Sequence, residues 1–147
     1  MATITKSITI NRPPDQVFAY LDDLSKHPEW QPQIKSRRIV TDGPTAVGTE
    51  VDDTRVVGGG REVPMRWKVT EHDPTARRSA FETIEGKMIK PSGVISVAQS
   101  GEGSEVTFQF TTNPFGFGWL MSPLINRDVQ KTIAENLERL KENLERS

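Results

Sequence analysis

The sequence predicts an α+β fold in which a curved antiparallel sheet of about seven strands wraps around a long C-terminal helix, with two short helices after the first strand. Three observations carry that prediction. Thr3 to Ile10 alternates, with Ile4, Lys6, Ile8 and Ile10 on one side and Thr3, Thr5, Ser7 and Thr9 on the other, which is strand periodicity. Between Gln33 and Asn113 turn chemistry cuts the chain into short apolar runs. The last segment carries one apolar stripe at helical spacing.

The first helix follows from Asn11-Arg-Pro-Pro-Asp, where Asn11 is a capping residue type and the prolines suit a first turn, and from Val17, Phe18, Leu21 and Leu24 at helical spacing. Pro28 and Pro32 bracket Trp30 and keep the second helix short, because each removes a backbone donor and restricts the residue before it. Six strands fit between the turn marks Asp42-Gly-Pro, Gly58-Gly-Gly, His72-Asp-Pro, Glu85-Gly and Gly101-Glu-Gly. Two alternate clearly: Val63, Met65, Trp67 and Val69 oppose Glu62, Arg66 and Lys68, and Val106, Phe108 and Phe110 oppose Thr107, Gln109 and Thr111. The inward face of the strand near Glu50 to Val57 stays undecided. In the last segment Ser122-Pro123 offers a cap and a first-turn proline, and Ile125, Val129, Ile133, Leu137, Leu140 and Leu144 form the stripe. That stripe lasts too few heptads for a coiled coil, and the sheet needs a cover for its single buried face.

A length of 147 residues suits one domain, 1–147, with a real core. Nineteen basic against twenty acidic residues leave a net charge of −1 with no long block of one sign, so nothing points to capture of nucleic acid or of an anionic membrane. The absence of cysteine excludes disulfides, thiolate catalysis and Cys-ligated metal. No apolar stretch approaches the ~18 residues of a spanning helix, and the start lacks the layout of a secretory signal, so a soluble cytoplasmic protein without stable membrane insertion is expected. Two distant histidines without an HExxH or Cys/His cluster argue against zinc, and Gly58-Gly-Gly60 lacks the lysine and hydroxyl of a phosphate loop; no metal or cofactor is expected. Lys35, Arg37 and Arg38 with Arg77-Arg78 could form a basic patch, but no exposed aromatics interleave with it.

The order strand, two short helices, six strands, long helix resembles the START-like helix-grip superfamily, also called SRPBCC, and within it the polyketide cyclase/dehydrase and lipid-transport group. The resemblance runs through Pro14 to Leu21, Pro28-Glu-Trp30, Val47-Gly48-Thr49, Trp67 to Pro74, Gly93, and Leu120 through Leu144, over nearly the whole chain. It implies a deep cavity between the curved sheet and the long helix, open near the helix's N-terminal half. Trp30, Met65, Trp67, Phe81, Met88, Phe108, Phe110, Trp119, Leu120 and Leu124 are the candidate lining, since aromatic walls and adaptable methionines suit flat or greasy ligands; the same residues could instead fill a core. Phe115-Gly-Phe-Gly-Trp reads either as a lid at the mouth or as an ordinary connector.

Candidate catalytic groups are fewer. Asp52-Asp53 can place one carboxylate inward with Arg55 on the same face as Asp53, or can lie on a solvated face. Arg127 falls near the implied rim, where a guanidinium could hold a carboxylate or polarise a carbonyl, or lies on the helix surface. His27 and His72 read as surface residues, and Tyr20 lies off the apolar helix positions. The expected function is binding of a small hydrophobic or aromatic molecule, lipid- or polyketide-like. Its rivals are a polyketide cyclase/dehydrase-type enzyme that orients a reactive chain, and a protein-interaction module; a homodimer is possible.

Overall fold

The computed structural model describes residues 2–146. The elements run β1 (Thr3–Ile10), α1 (Pro14–Asp22), a 3-10 turn (Leu24–Lys26), α2 (His27–Trp30), β2 (Ile34–Ile39), β3 (Glu50–Val57), β4 (Arg61–Asp73), β5 (Arg78–Glu85), β6 (Ser92–Ser100), β7 (Gly103–Thr111) and α3 (Phe117–Arg146). The strands form one antiparallel sheet in the order β1-β7-β6-β5-β4-β3-β2, so the chain meanders from β2 to β7 and returns beside β1. Ile4 lies opposite Phe110 and Ile8 opposite Val106, which joins the inward faces of the first and last strands.

The C-terminal half of α3 covers one end of the concave face. Ile133, Leu137, Leu140 and Leu144 are buried against Val17, Phe18 and Leu21 of α1, Ile4 and Ile10 of β1, Trp30, Val97 and Val106. Each such side chain contributes about 2 kcal/mol through apolar burial. A second, smaller cluster joins Leu24, Val51, Trp67 and Val69, with Met65 and Phe81 packed against it.

Two starts differ from the sequence expectation. Asn11 does not cap α1, which begins at Pro14 after an extended Pro13 with no side-chain cap. The backbone N–H of Asn11 instead donates to Glu145 Oε2 at 2.8 Å and ties the β1–α1 link to the end of α3. Nor does α3 start at Ser122-Pro123: it starts at Phe117 and carries Pro123 inside. Pro123 has no N–H, so the Trp119 carbonyl loses its usual partner. The first turn is held from outside the helix, because the Phe115 N–H donates to the Met88 carbonyl at 2.9 Å. Gly118 is pressed so closely on the same loop that a Cβ there would lie 1.9 Å from the Met88 oxygen. Phe115-Gly-Phe-Gly-Trp is therefore largely the first turn of α3, with Gly118 serving close approach.

Candidate functional site

Along its C-terminal half α3 packs on α2 and β1. Its N-terminal half rests on the sheet's loops, at Met88 through Gly118 and at the β3–β4 hairpin, where Gly58 lies against Asp128. Between these supports the concave face keeps solvent access: Phe81, Phe108, Phe110 and Met65 are only half-buried, as are Met121, Ile125 and Val129 on the helix.

The floor of this space is an aromatic wall. Phe81 lies edge-on to Trp67 with ring centroids 5.7 Å apart, and it meets Phe108 at 6.5 Å and Phe110 at 6.3 Å. Phe108 and Phe110 are themselves 5.9 Å apart. These spacings fall in the favourable aromatic range. Gly93 of β6 stands opposite both Phe81 and Phe110. A Cβ there would come within 2.6 Å of the Phe81 ring and 2.9 Å of the Phe108 ring, so the wall closes over β6 only because that residue is glycine.

One side of the space is polar. The strand near Glu50 to Val57 turns Val51, Asp53 and Arg55 inward, and Asp53 has a fully buried side chain. Arg37 of β2 grips its carboxylate with both forks, Nε to Oδ1 at 2.7 Å and Nη2 to Oδ2 at 2.6 Å. Arg55 Nη2 adds a third donor at 3.2 Å, and Trp67 Nε1 a fourth at 3.0 Å. The Arg37 guanidinium stacks 5.3 Å from the Trp67 ring, so Trp67 touches the aromatic wall and the charge cluster together. Burial alone raises the Asp53 pKa, but the hydrogen bond from Arg37 and the Arg55 and Arg37 charges outweigh it and hold the carboxyl below its usual range. A carboxylate so saturated with donors serves as an anchor, not as a proton shuttle.

The cluster holds two guanidiniums against one carboxylate, and its neighbour His27 stays neutral and adds no further charge. Burial, then the Arg37 charge, pushes the His27 pKa down to about 3, and its Nε2 faces the Leu21 carbonyl at 2.8 Å. Arg55 also donates through Nη1 to Gln31 at 3.1 Å, while its buried Nε has no partner. On the helix above, Asn126 holds a buried Oδ1 without a partner. One unused donor and one unused acceptor thus sit on half-buried residues of the enclosing elements.

The structure brings Met65, Trp67, Phe81, Phe108 and Phe110 to the concave face, and Asp53 and Arg55 beside them. The structure places the remaining candidates elsewhere. Trp30 is 2% exposed inside the closed core, where it packs and lines no open space. Met88 sits in the β5–β6 loop with a left-handed backbone (φ 67°) and belongs to the rim. Trp119, Leu120 and Leu124 are 56%, 73% and 62% exposed. The phase of the Ile125-to-Leu144 stripe turns Leu120 and Leu124 to the opposite face of α3, and Trp119 lies in the exposed first turn. Arg127 is likewise exposed on the outer face.

His27 and His72 are not surface residues. His27 packs edge-on to Trp30 at 5.4 Å, and His72 meets Asp22 at 2.9 Å with its side chain 12% exposed. The basic patch also dissolves: Arg37 is buried on Asp53, and Lys35, Arg38, Arg77 and Arg78 pair with Glu62, Asp52, Asp15 and Glu71. Arg37 and Gly93 are the site residues sequence reasoning missed as such. The signal for Arg37 was its alternation along β2 opposite an acidic strand, which the register alone makes visible. A solvent-open groove of about 650 Å³ on the convex face, lined by Thr3, Val94 and Gln109 among others, has Glu82 and Lys90 as its only titratable groups.

A curved seven-stranded antiparallel sheet gripping a long C-terminal helix, with an accessible aromatic face under the helix's first half, defines a START-like helix-grip protein. The chain belongs to the polyketide cyclase/dehydrase and lipid transport family, whose model matches residues 1–145. Solved structures share the fold. TTHA0849 from Thermus thermophilus is 22% identical with a TM-score of 0.82, covering 96% of this chain and 95% of that one. The Zhui aromatase/cyclase from Streptomyces sp. R1128 is 17% identical at TM-score 0.82, over 99% of this chain and 94% of that one. Ara h 8.0201 is 19% identical at TM-score 0.77, over 99% of both chains. No curated protein matches the sequence.

Proposed function

We propose that this protein binds a small hydrophobic molecule with an aromatic or ring-shaped body, lipid- or polyketide-like, between the concave sheet and the N-terminal half of α3. The observation that carries it is the aromatic wall of Phe81, Phe108 and Phe110, left only partly buried on the inner face of the sheet while the core beside it is sealed. Three aromatic rings kept accessible to water on a concave face give a flat apolar ligand a surface to displace that water from. The polar wall adds direction. With a neutral His27 and an Asp53 already matched by Arg37, the spare Arg55 charge and its unused Nε favour a ligand that ends in a carboxylate, a carbonyl or a similar acceptor.

Arg55 also supports the second reading, a cyclase or dehydrase that polarises a carbonyl while the aromatic wall fixes a reactive chain. Asp53 contributes no proton transfer in that scheme, since its four donors keep it ionised. Native mass spectrometry on protein purified without detergent tests the binding reading. A discrete bound mass, released by Phe108→Ala and by Trp67→Ala, is the expected result. A clean apo mass, together with no quenching by naphthalene-type probes, contradicts it.

A further inference from the structure

The polar wall beside the aromatic rings carries more positive than negative charge. Its carboxylate is Asp53, which two guanidiniums share, Arg37 at 2.6 Å and Arg55 at 3.2 Å. The elements packed around the three leave that balance unchanged. From α2 comes His27, neutral because burial and then the Arg37 charge push its pKa down to about 3. From β4 come Met65 and Trp67, which carry no charge. Asp52 points to the other face of β3, where Arg66 and Arg38 hold it. Asp128 of α3 is exposed and rests against Gly58. The charges that act on Arg55 are those of Asp53 and Arg37, so one positive charge stands unmatched.

Hydrogen bonding assigns that charge to Arg55. Arg37 donates to both Asp53 oxygens and to the Leu24 carbonyl, and its side chain is 5% exposed, so it is closed to a ligand. Arg55 donates twice, through Nη1 to Gln31 and through Nη2 to Asp53, and its side chain is 24% exposed. A guanidinium has five N–H donors in a planar fork, so Arg55 keeps three of them. Gln31 and Asp53 fix its plane, which spares a ligand much of the ordering cost that a free arginine imposes. Lys6 is the other cation on the concave side, half-buried opposite Phe108 and in no ion pair among the described residues. It stands on the edge strand β1, where an inward lysine guards the edge against pairing and a flexible stem lets the amine reach water.

From this imbalance we infer that the ligand is a monocarboxylic acid bound as its anion, with the carboxylate on Arg55 and the apolar body laid across Trp67 and Phe81 towards Phe108 and Phe110. The inference rests on the reading of the concave face as a ligand site and narrows it. A carboxylate is planar and matches the guanidinium fork. Its single charge brings the wall to neutrality, with Arg37 and Arg55 against Asp53 and the ligand. A neutral carbonyl would leave the positive charge standing, and a dianionic phosphate would overshoot it. Such an acid arrives ionised at neutral pH, since carboxyls titrate at about 4. Trp67 joins the two parts of the site, because its Nε1 donates to Asp53 while its ring meets Phe81 edge-on.

Three ligands that share one body test this on the whole chain: 3-(2-naphthyl)propanoate, its primary amide and 3-(2-naphthyl)propylamine, which are anionic, neutral and cationic at neutral pH. Affinities are read from amide chemical-shift titrations. The anion is expected to bind at least about tenfold more tightly than the amide, and the amine more weakly still. Arg55→Gln should bring the anion down to the affinity of the amide and leave the amide's own affinity little changed. Arg55→Lys keeps the charge and loses the fork, so it should retain part of the preference. Lys6→Gln should leave the ratio as it is. The comparison of the three ligands on the parent chain depends on no variant, and melting temperatures check that the variants fold. An amide as tight as the anion, or a preference that survives Arg55→Gln or disappears with Lys6→Gln, would overturn the inference and leave the ligand site standing. No saturable shift with any of the three would remove the ligand site and the inference with it.

Discussion

The two halves of α3 lie over the same sheet and do opposite things. From Ile133 to Leu144 the helix is sealed: four of its side chains are 6% exposed or less and interlock with α1 and β1. From Met121 to Val129 its inward residues are only half-buried, and the rings beneath them stay accessible. The difference arises from what fills the gap. In the sealed half α2 and β1 pack on the helix, and α1, lying on β6 and β7, adds Val17, Phe18 and Leu21 to the shared core. In the open half nothing corresponds to α1, and the helix stands on loops at Met88 and Gly58. A helix-grip fold therefore carries its stability at one end and its binding capacity at the other.

Substitutions should separate the halves by the size of what they cost. The largest effect is expected at the polar wall, where Asp53→Ala leaves Arg37 buried without its carboxylate and should cost about 3 to 5 kcal/mol in a chemical-denaturation experiment. In the sealed half Leu140→Ala should cost about 3 kcal/mol, because a fully buried leucine leaves a cavity its neighbours cannot fill. Phe108→Ala on the open wall should cost only about 1–2 kcal/mol while removing most ligand affinity, since part of that ring already meets solvent. Leu124→Ala on the outer face should fall within about 0.5 kcal/mol of the parent.

Acid should act through His27. Its folded-state pKa of about 3 lies below the ordinary 6.5, so between those values the unfolded chain holds the extra proton and stability falls as pH falls. The slope contributed by this one residue is at most ~1.4 kcal/mol per pH unit, and His27→Gln should flatten the curve across that window. Asp52, held near 2 by its hydrogen bond to Arg66, and Asp53 extend the loss of stability below their ordinary 3.8.

The element order was legible because turn residues and alternation are local signals. Val106, Phe108 and Phe110 could be assigned to the inner face from their own strand. Beyond that, legibility ended where a second strand was needed. Asp53 and Arg55 sit among charges on both alternations, and only the pairing of Arg37 with Asp53 across β2 and β3 shows which face is inside. At α3 a local signal misled: Ser122-Pro123 has the chemistry of a helix start, yet contacts at Met88 carry the helix further back, to Phe117. The stripe from Ile125 to Leu144 already fixed the phase that turns Leu120 and Leu124 outward, so that correction was available in the sequence. Gly93 was not, because its purpose lies in the rings of two neighbouring strands.

An amide NMR titration with naphthol tests the contrast between the two halves most directly. Shifts should concentrate at Gly93, Phe81, Phe108, Phe110 and the α3 segment Met121 to Val129, with Ile133 to Leu144 unmoved. Saturable shifts around Leu140 with none at Gly93, or no shifts anywhere, would contradict an open aromatic site under the first half of the helix.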